Sequence, residues 1–397
     1  MNNFKIGIDA RFLLRPLRGM PLYVLRLCQN LPALARNYQF IYFINKGFEH
    51  NDTPENYLPR IKEIETQHPN VTFVNFDDDA EIKWEQIILP RLLKEYKVDL
   101  LHMPGNRICF FPGVPIVVTL HDVMEYKFLL NQKYPLSWHK NGSIRMLLHH
   151  LRKRLYASVT YKWGFARAEK IISVSNYSAN DIVKTLKIDS NKISTIHHGV
   201  DSDYLIDFSL PLDERQFTLM LGGDSFQKNP EAAIACWAEV PPEIRQKYPL
   251  KIIGFCGSDS SPIMQAVKKY NLENLVQING WVSQEEMVEA FKKAAVFLFP
   301  SRYEGFGFPL IQAMACGTPV ISTNRSSIPE VLGPVGFQFD PDDHAGMAAG
   351  IGRVLSDPAL WAEQSASGAQ RAGSFTWENS AQAHLDVYSR ILGQSSD

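Results

Sequence analysis

The sequence has no run of eighteen apolar residues, so no segment reads as a transmembrane helix. Its opening, MNNFKIGIDARF, enters a strand pattern without the apolar stretch of a signal peptide. Cysteine is scarce: the five, at 28, 109, 236, 256 and 316, form no CxxC pair and no metal-ligand spacing. That argues against a disulfide framework or a zinc module and reads as reduced core thiols in a cytosolic protein. No GK[ST] closes a glycine loop, so LGGDSFQKN at 221–229 is not a Walker loop. No strand-linked GxGxxG appears, which disfavours the nicotinamide oxidoreductase that an α/β fold alone would permit. The acids DDD at 77–79 and DSD at 201–203 read as turn and linker acids, so no metal site is expected. Repeats are absent, and the only low-complexity tract is the polar tail GQSSD.

What is present fits two globular domains. The chain has 397 residues, 45% hydrophobic and 21% charged, enough for two sizeable cores. The formal charge of −1 hides an asymmetry: residues 1–200 carry 27 Lys and Arg against 18 Asp and Glu, and residues 201–397 carry 14 against 24. The halves therefore face different partners. Short apolar runs alternate with helical patterns: KIGID, FIYFIN, VTFVNF, DLLHM, PIVVTLHD and KIISVS, then FTLMLGG, LKIIGF, VQINGW, AVFLFP and PVIST. This alternation predicts parallel α/β layers. We expect a first domain over 1–200, a linker over 201–214 marked by Pro211, and a second domain over 215–375. An amphipathic closing helix and tail fill 376–397, with Ala381, Leu385, Val387, Tyr388 and Ile391 near one face.

The most informative stretch is YEGFGFPLIQAMACGTPV at 303–320. It reads as the loop after strand AVFLFP, a helix PLIQAMAC stopped by Gly317 and Pro319, and a further strand PVIST. A helix mouth beyond the carboxyl end of a parallel strand suits a phosphate. Glu304 stands just before it, where a carboxylate is welcome if hydroxyl groups donate to it. A sugar attached to a phosphate meets both requirements. Taken alone, Gly305 and Gly307 read more readily as a tight turn with Glu304 solvated, and Lys228, which ends the loop after the second half's first strand, is equally a surface charge.

Combined, these residues resemble the retaining nucleotide-sugar glycosyltransferases of the GT-B class, in the large family marked by a Glu-(seven residues)-Glu motif (family 4-like). GGDSFQKN, VQINGWVSQEEM, FLFPSRYEGFGFPLIQAMACGTPVIST, SSIPEVLG and FQFDPDD follow the family's order in the second half, and GIDARF, VDLLHMPGN, VVTLHD, IISVSNYSANDI and HHGVD do so in the first. The resemblance implies an α/β GT-B fold, two Rossmann-like domains facing a central cleft. It implies that Glu304 holds the donor sugar and that Lys228 neutralises the leaving diphosphate. Backbone amides from Gly307 through Leu310 would hold the phosphate, with Gly223, Gly305, Phe306 and Phe308 alongside. Trp281 and Val282 would wall the base, and Glu330 would belong to the following cleft motif. In the first half Gly19 would close over the phosphates and His121 would position donor or acceptor, with Asp122 and Asn106 on the acceptor side.

Two positions depart from the family's pattern. Gly222 and Gly223 stand where many relatives carry an arginine, and Gln312 replaces the second Glu, which usually accepts ribose hydroxyls. An amide oxygen still accepts one such bond without the charge-assisted part, about 1 kcal/mol. These departures motivate the alternative of a catalytically silent nucleotide-sugar-binding or scaffolding subunit. The first-half blocks and WEQIILPRLL look like bacterial mannosyltransferases of surface-polysaccharide assembly, favouring GDP-mannose over a UDP-sugar, with a glycan or polyprenyl-linked saccharide as acceptor and no cofactor beyond the donor. Residues 126–170 carry ten Lys and Arg and one acid, Glu169, with Trp138, Tyr156, Tyr161 and Trp163 interleaved. The stretch is either a solvated basic face or a surface for an anionic membrane on the cytoplasmic side; no nucleic-acid motif accompanies it.

Overall fold

The computed structural model describes residues 4–45, 57–77, 80–131, 154–205, 210–223, 225–255 and 261–393. Asp78, Asp79, Asp224, Cys256, the tail 394–397 and the middle of the basic stretch, 132–153, lie outside the described residues. The chain divides into two compact units, Met1–His197 with Trp377–Asp397, and His198–Thr376.

The first unit is built on a seven-stranded parallel sheet of order β3-β2-β1-β4-β5-β6-β7. Its strands are β1 (Lys5–Asp9), β2 (Gln39–Asn45), β3 (Val71–Phe76), β4 (Leu100–Met103), β5 (Ile116–Leu120), β6 (Lys170–Ser173) and β7 (Ile193–Thr195). The inner strands β4 and β5 are buried along their whole length, as a sheet covered by helices on both faces requires. The sequence pattern misses β7, whose three residues are only half-buried and leave no apolar run to read.

The closing helix, Trp377–Ile391, belongs to this unit and packs on the Met20–Leu34 helix. It buries Ala381, Leu385, Val387 and Tyr388, but Ile391 is only partly covered, and the polar Ser380 and His384 join the buried face. A buried polar chain explains why. His384 Nδ1 lies 2.6 Å from the Ser380 carbonyl, so that nitrogen carries the proton and Nε2 accepts from Tyr23 Oη at 2.8 Å. Tyr23 Oη then accepts from Thr119 Oγ1 at 2.7 Å, and Thr119 Oγ1 accepts from His102 Nε2 at 2.8 Å. Tyr388 closes the order by donating to His102 Nδ1 at 2.6 Å. Every link has one proton, and both imidazoles are neutral. Burial agrees, holding His384 down at about 4 and His102 well below the usual imidazole range.

The second unit repeats the architecture with six parallel strands in the order β10-β9-β8-β11-β12-β13. They are β8 (Phe217–Leu221), β9 (Leu250–Ile253), β10 (Val276–Asn279), β11 (Ala294–Phe299), β12 (Val320–Thr323) and β13 (Phe337–Phe339). Its core gathers Trp237, Leu250, Ile252, Val296, Leu298, Ile351 and Trp361. Buried Arg215 pins several turns at once: its guanidinium donates to the carbonyls of Ala294 (3.0 Å), Cys316 (3.3 Å) and Gly317 (3.3 Å), and to Thr318 Oγ1 (3.1 Å). It thereby fastens the carboxyl end of the Phe308–Ala315 helix, where a cation also meets the negative end of the dipole. Desolvation lowers its pKa to about 10.

The neutral histidines make stability acid-sensitive. In the unfolded chain an imidazole titrates near 6.5; in the fold burial holds His121 and His384 down at about 4 and His102 well below the usual imidazole range. Their contribution is complete above about pH 6.5 and is lost as pH falls toward 4, because only the unfolded chain takes up the protons. Urea midpoints measured between pH 7 and 4.5 should fall steeply. His384→Phe should lower the midpoint at pH 7 by leaving the Tyr23 hydroxyl short of an acceptor, and should reduce the pH slope by about one proton. An unchanged slope would show that His384 is not held neutral.

Candidate functional site

In each sheet the chain leaves two adjacent strands toward opposite edges, β8 toward β9 and β11 toward β12 in the second unit, β1 toward β2 and β4 toward β5 in the first. Parallel sheets bind ligands outside the carboxyl ends of such a pair.

In the second unit the loops after β8 and β11 carry Lys228 and Glu304, which lie 76 residues apart in sequence, and the fold brings them together: Lys228 Nζ is 2.8 Å from Glu304 Oε1. Both are part-exposed, with side-chain accessibilities of 30% and 15%. The loops are stitched to each other. Arg302 N donates to Gln227 O at 2.7 Å, and Asn229 Nδ2 donates to Pro300 O at 3.2 Å and to Pro341 O at 3.1 Å. Glu304 is further held by two serines: its N–H donates to Ser326 Oγ at 2.9 Å, and Ser327 Oγ donates to the carbonyls of Glu304 and Phe306 at 3.1 and 2.8 Å. These serines lie in the SSIPEVLG block, but nothing in their spacing predicts that they would anchor a loop twenty residues upstream; Asn229 was likewise visible only as the neighbour of Lys228.

After Glu304 the chain turns at Gly307, whose φ of +107° suits glycine, into the Phe308–Ala315 helix. Of the four amides expected to face a phosphate, Pro309 has no N–H and that of Leu310 donates to Gly307 O at 2.9 Å. The expectation that Gly307 through Leu310 all contribute is therefore corrected at Pro309, which has no N–H, and at Leu310, whose N–H turns back on the chain. Phe308 stacks on buried His198, with centroids 4.5 Å apart and planes 3° from parallel, and Phe306 meets the same imidazole edge-on at 4.9 Å. His198, in the HHGVD block, is a contributor the sequence reading passed over. Gln312 lies one turn below Phe308, half-buried, and its side-chain amide makes no hydrogen bond among the described residues.

The remaining sequence-predicted positions of this unit surround this loop pair or its neighbours. Gly223 follows β8, and Trp281, 57% exposed, lies against Gly254 beyond β9, where a Cβ would sit 3.0 Å from the indole. Val282 is half-buried beside it, before the capping box of Ser283 and Glu286. Glu330 is in the first turn of the Ile328–Leu332 helix, its carbonyl bound by Arg371 Nη2 at 2.8 Å. Gly305 and Phe306 complete the turn, half-buried and buried.

In the first unit, His121 follows β5 and Asn106 follows β4. His121 N donates to Asn106 Oδ1 at 2.7 Å, and its ring Nε2 faces the Pro104 carbonyl at 3.0 Å, which fixes the proton on Nε2. Burial pushes its pKa down to about 4, so the ring is neutral. Tyr23 meets it edge-on at 5.0 Å. Asp122 Oδ1 accepts from Met124 N at 2.8 Å, so this carboxylate caps the Met124–Asn131 helix, and its acceptor-side expectation shares the residue with that structural task. Gly19, φ +53°, is the exposed residue before the Met20–Leu34 helix. Among the described residues no group of three or more His, Cys, Asp and Glu could hold a metal, and no helix is long and apolar enough to cross a membrane.

Comparison with known proteins follows the same division. Residues 17–204 match the model for Glycosyltransferase Family 4, and residues 204–371 that for Glycosyl transferases group 1. The chain is 28% identical over 307 residues to O-antigen chain mannosyltransferase B of Escherichia coli, covering 75% of each. It is 28% identical over 245 residues to the serotype-specific mannosyltransferase WbdA of Escherichia coli, covering 59% of this chain but 30% of that protein. Among solved structures it superposes on a glycosyltransferase from Rickettsia africae over the whole of both chains, with a TM-score of 0.70 and 16% identity. On HepE of Anabaena, solved with UDP and glucose, it superposes over 98% of this chain and all of that one, with a TM-score of 0.67 and 16% identity. With two sheets of this topology and family matches that run from residue 17 to residue 371, the chain belongs to the GT-B glycosyltransferases of family 4 and is a hexosyltransferase.

Proposed function

We propose that the protein transfers mannose from GDP-mannose, with retention of anomeric configuration, to a saccharide acceptor, free or polyprenyl-linked, in surface-polysaccharide assembly. The observation that carries this reading is the meeting of Lys228 and Glu304 beside the helix mouth at Gly307, where β8 and β11 part. A nucleoside diphosphate brings negative charge for the lysine and the helix dipole, and its sugar brings hydroxyls for the carboxylate. The E. coli relatives bear mannosyltransferase names, and the Anabaena neighbour was solved with UDP and glucose, which supports a nucleotide-sugar donor and favours mannose.

In this reading Lys228 and Glu304 neutralise each other until donor arrives. The diphosphate then takes the ammonium and the sugar hydroxyls take the carboxylate, so the pair exchanges one set of charge-assisted bonds for another. As the sugar–phosphate bond breaks, Lys228 and the Gly307–Phe308 mouth stabilise the growing diphosphate charge. The acceptor hydroxyl attacks from the side the diphosphate leaves, and its proton passes to a phosphate oxygen. Neutral His121, with its Nε2 proton directed at Pro104 O, positions the sugar or acceptor and is no acid at neutral pH. Gln312 offers an amide to the ribose. A silent binding subunit is the alternative, and absence of turnover of any nucleotide sugar, alone or with acceptors, would favour it.

The exchange of partners predicts opposite effects from the two halves of the pair. Lys228→Ala should lower turnover by roughly 10²–10³-fold and weaken GDP binding. Glu304→Ala should lower turnover by at least ~10²-fold yet leave GDP binding equal or tighter, because the ammonium no longer has an internal competitor. Calorimetric titration with GDP reads this directly; weaker binding by the Glu304 variant would contradict the exchange.

Among the described residues the Gln312 side chain makes no hydrogen bond, so substituting it tests ribose contact with little disturbance of its helix. Gln312→Glu should tighten GDP binding by up to about tenfold. Gln312→Leu should weaken GDP more than 2′-deoxy-GDP; equal weakening of both, or of neither, removes Gln312 from the 2′-hydroxyl.

A further inference from the structure

The helix that opens at the mouth begins without help from a side chain: Gly307, its N-cap, has none, and Phe308 and Pro309 follow. Its attitude is therefore set by what packs on Phe308 and on Phe306 just before it. That is a cluster of rings. His198, 2% exposed, lies face to face with Phe308, 4.5 Å between centroids and 3° between planes. Phe306 meets the imidazole at 4.9 Å and 79°, and meets Phe308 at 6.0 Å and 76°, so the three rings close on one another. Phe306 also packs edge-on against Phe375 at 5.8 Å, and the Arg371 guanidinium lies 4.8 Å from the Phe375 centroid. Stacked and edge-to-face pairs of this kind hold a preferred geometry as well as burying area.

The cluster is itself anchored. Ser327 Oγ donates to Phe306 O at 2.8 Å, and Arg371 donates to Val331 O at 3.1 Å and Glu330 O at 2.8 Å, which ties the rings to the Ile328–Leu332 helix. Val200 N donates to Phe375 O at 3.0 Å. His198 opens the second unit and Phe375 is its last residue but one, so both ends of that unit's chain are pinned to the rings that carry the mouth. Close packing lets a ring held in this way resist a tilt of the helix start instead of following it. The imidazole is covered by Phe306 and Phe308, so it acts on a ligand through those rings and not by contact.

We propose that His198 is a positioning residue for the donor diphosphate: its ring fixes Phe308 and so aims the Gly307–Phe308 mouth at the phosphate. The proposal rests on the reading above that a nucleoside diphosphate occupies this mouth. It adds that affinity for phosphate, and not recognition of base or ribose, depends on a flat ring at position 198. A mouth already aimed binds phosphate without the cost of ordering it, and the same aim serves the charge that grows as the diphosphate leaves.

The test compares GDP with guanosine, which lacks the phosphates, in titrations of the full chain. The ratio of the two affinities within one variant reads phosphate binding alone and does not depend on how much of the protein folds. His198→Gln keeps hydrogen-bonding capacity without a ring, and His198→Phe keeps a ring without that capacity. The expected result is a GDP-to-guanosine ratio reduced about five- to tenfold in His198→Gln, the scale of one or two lost ring pairs, and restored to within about twofold of the parent in His198→Phe. Phe308→Leu should lower the ratio similarly, and adding His198→Gln to it should lower the ratio no further, because the imidazole acts through that ring. An unchanged ratio in His198→Gln, a loss in His198→Phe as large as that in His198→Gln, or costs that add in the double variant would overturn the proposal. A parent chain that binds GDP no more tightly than guanosine would overturn the reading of the site as well.

Discussion

The arrangement of the second unit depends on one topological constraint: β8 and β11 are neighbours whose chains leave in opposite directions. Their carboxyl ends therefore carry loops that no helix can roof over from the same side, and a crevice remains. Around it the side chains fill prescribed tasks. Asn229 ties the two loops together, Ser326 and Ser327 hold the backbone of Glu304, and Arg215 fastens the far end of the helix that begins at Gly307. Because each of these groups is engaged by backbone carbonyls or amides, the Lys228 and Glu304 side chains are left as the adjustable charged pair within a fixed frame. Preorganisation of that kind is what lets a polar site favour charge developing on a leaving group without reorganising.

The first unit solves a different problem. Its closing helix must return to a sheet whose interior already contains His102 and Thr119, and the hydrogen-bond order from Tyr388 to Ser380 lets five polar groups enter the core with every proton assigned. A buried network satisfied throughout is specific, because a shift of the helix by one residue would break several bonds together. The same network holds Tyr23 against the edge of His121, so the helix at the end of the chain supports a residue near the middle of it.

Much of this was legible in the sequence for identifiable reasons. The long inner strands announced themselves as apolar runs between turn residues, and Gly307 and Gly317 marked the ends of a helix because both need left-handed backbone, at φ +107° and +62°. The candidate residues Lys228 and Glu304 were found from their strand-end positions, but their 2.8 Å contact spans 76 residues and has no local signature. The short edge strands β7 and β13 escaped notice because three half-buried residues make no pattern. Tyr388 was placed on one face of an amphipathic helix but its buried neighbour His384 was not singled out, and the π turn at Trp84–Ile88 has no sequence signature, since a single extra residue in a turn leaves the apolar spacing almost unchanged. Leu310 was expected to lend its amide because spacing shows where a helix starts and not which of its first amides turns back on the chain.

The central claim is that a nucleoside diphosphate occupies the crevice between β8 and β11 and takes Lys228 from Glu304. A crystal structure of the protein with GDP tests it most directly. The account predicts a diphosphate within hydrogen-bonding distance of Lys228 Nζ and the Gly307–Phe308 mouth, with the 2.8 Å contact to Glu304 opened and the carboxylate exposed to the sugar position. A nucleotide bound elsewhere, or one bound with the Lys228–Glu304 pair intact, would contradict it.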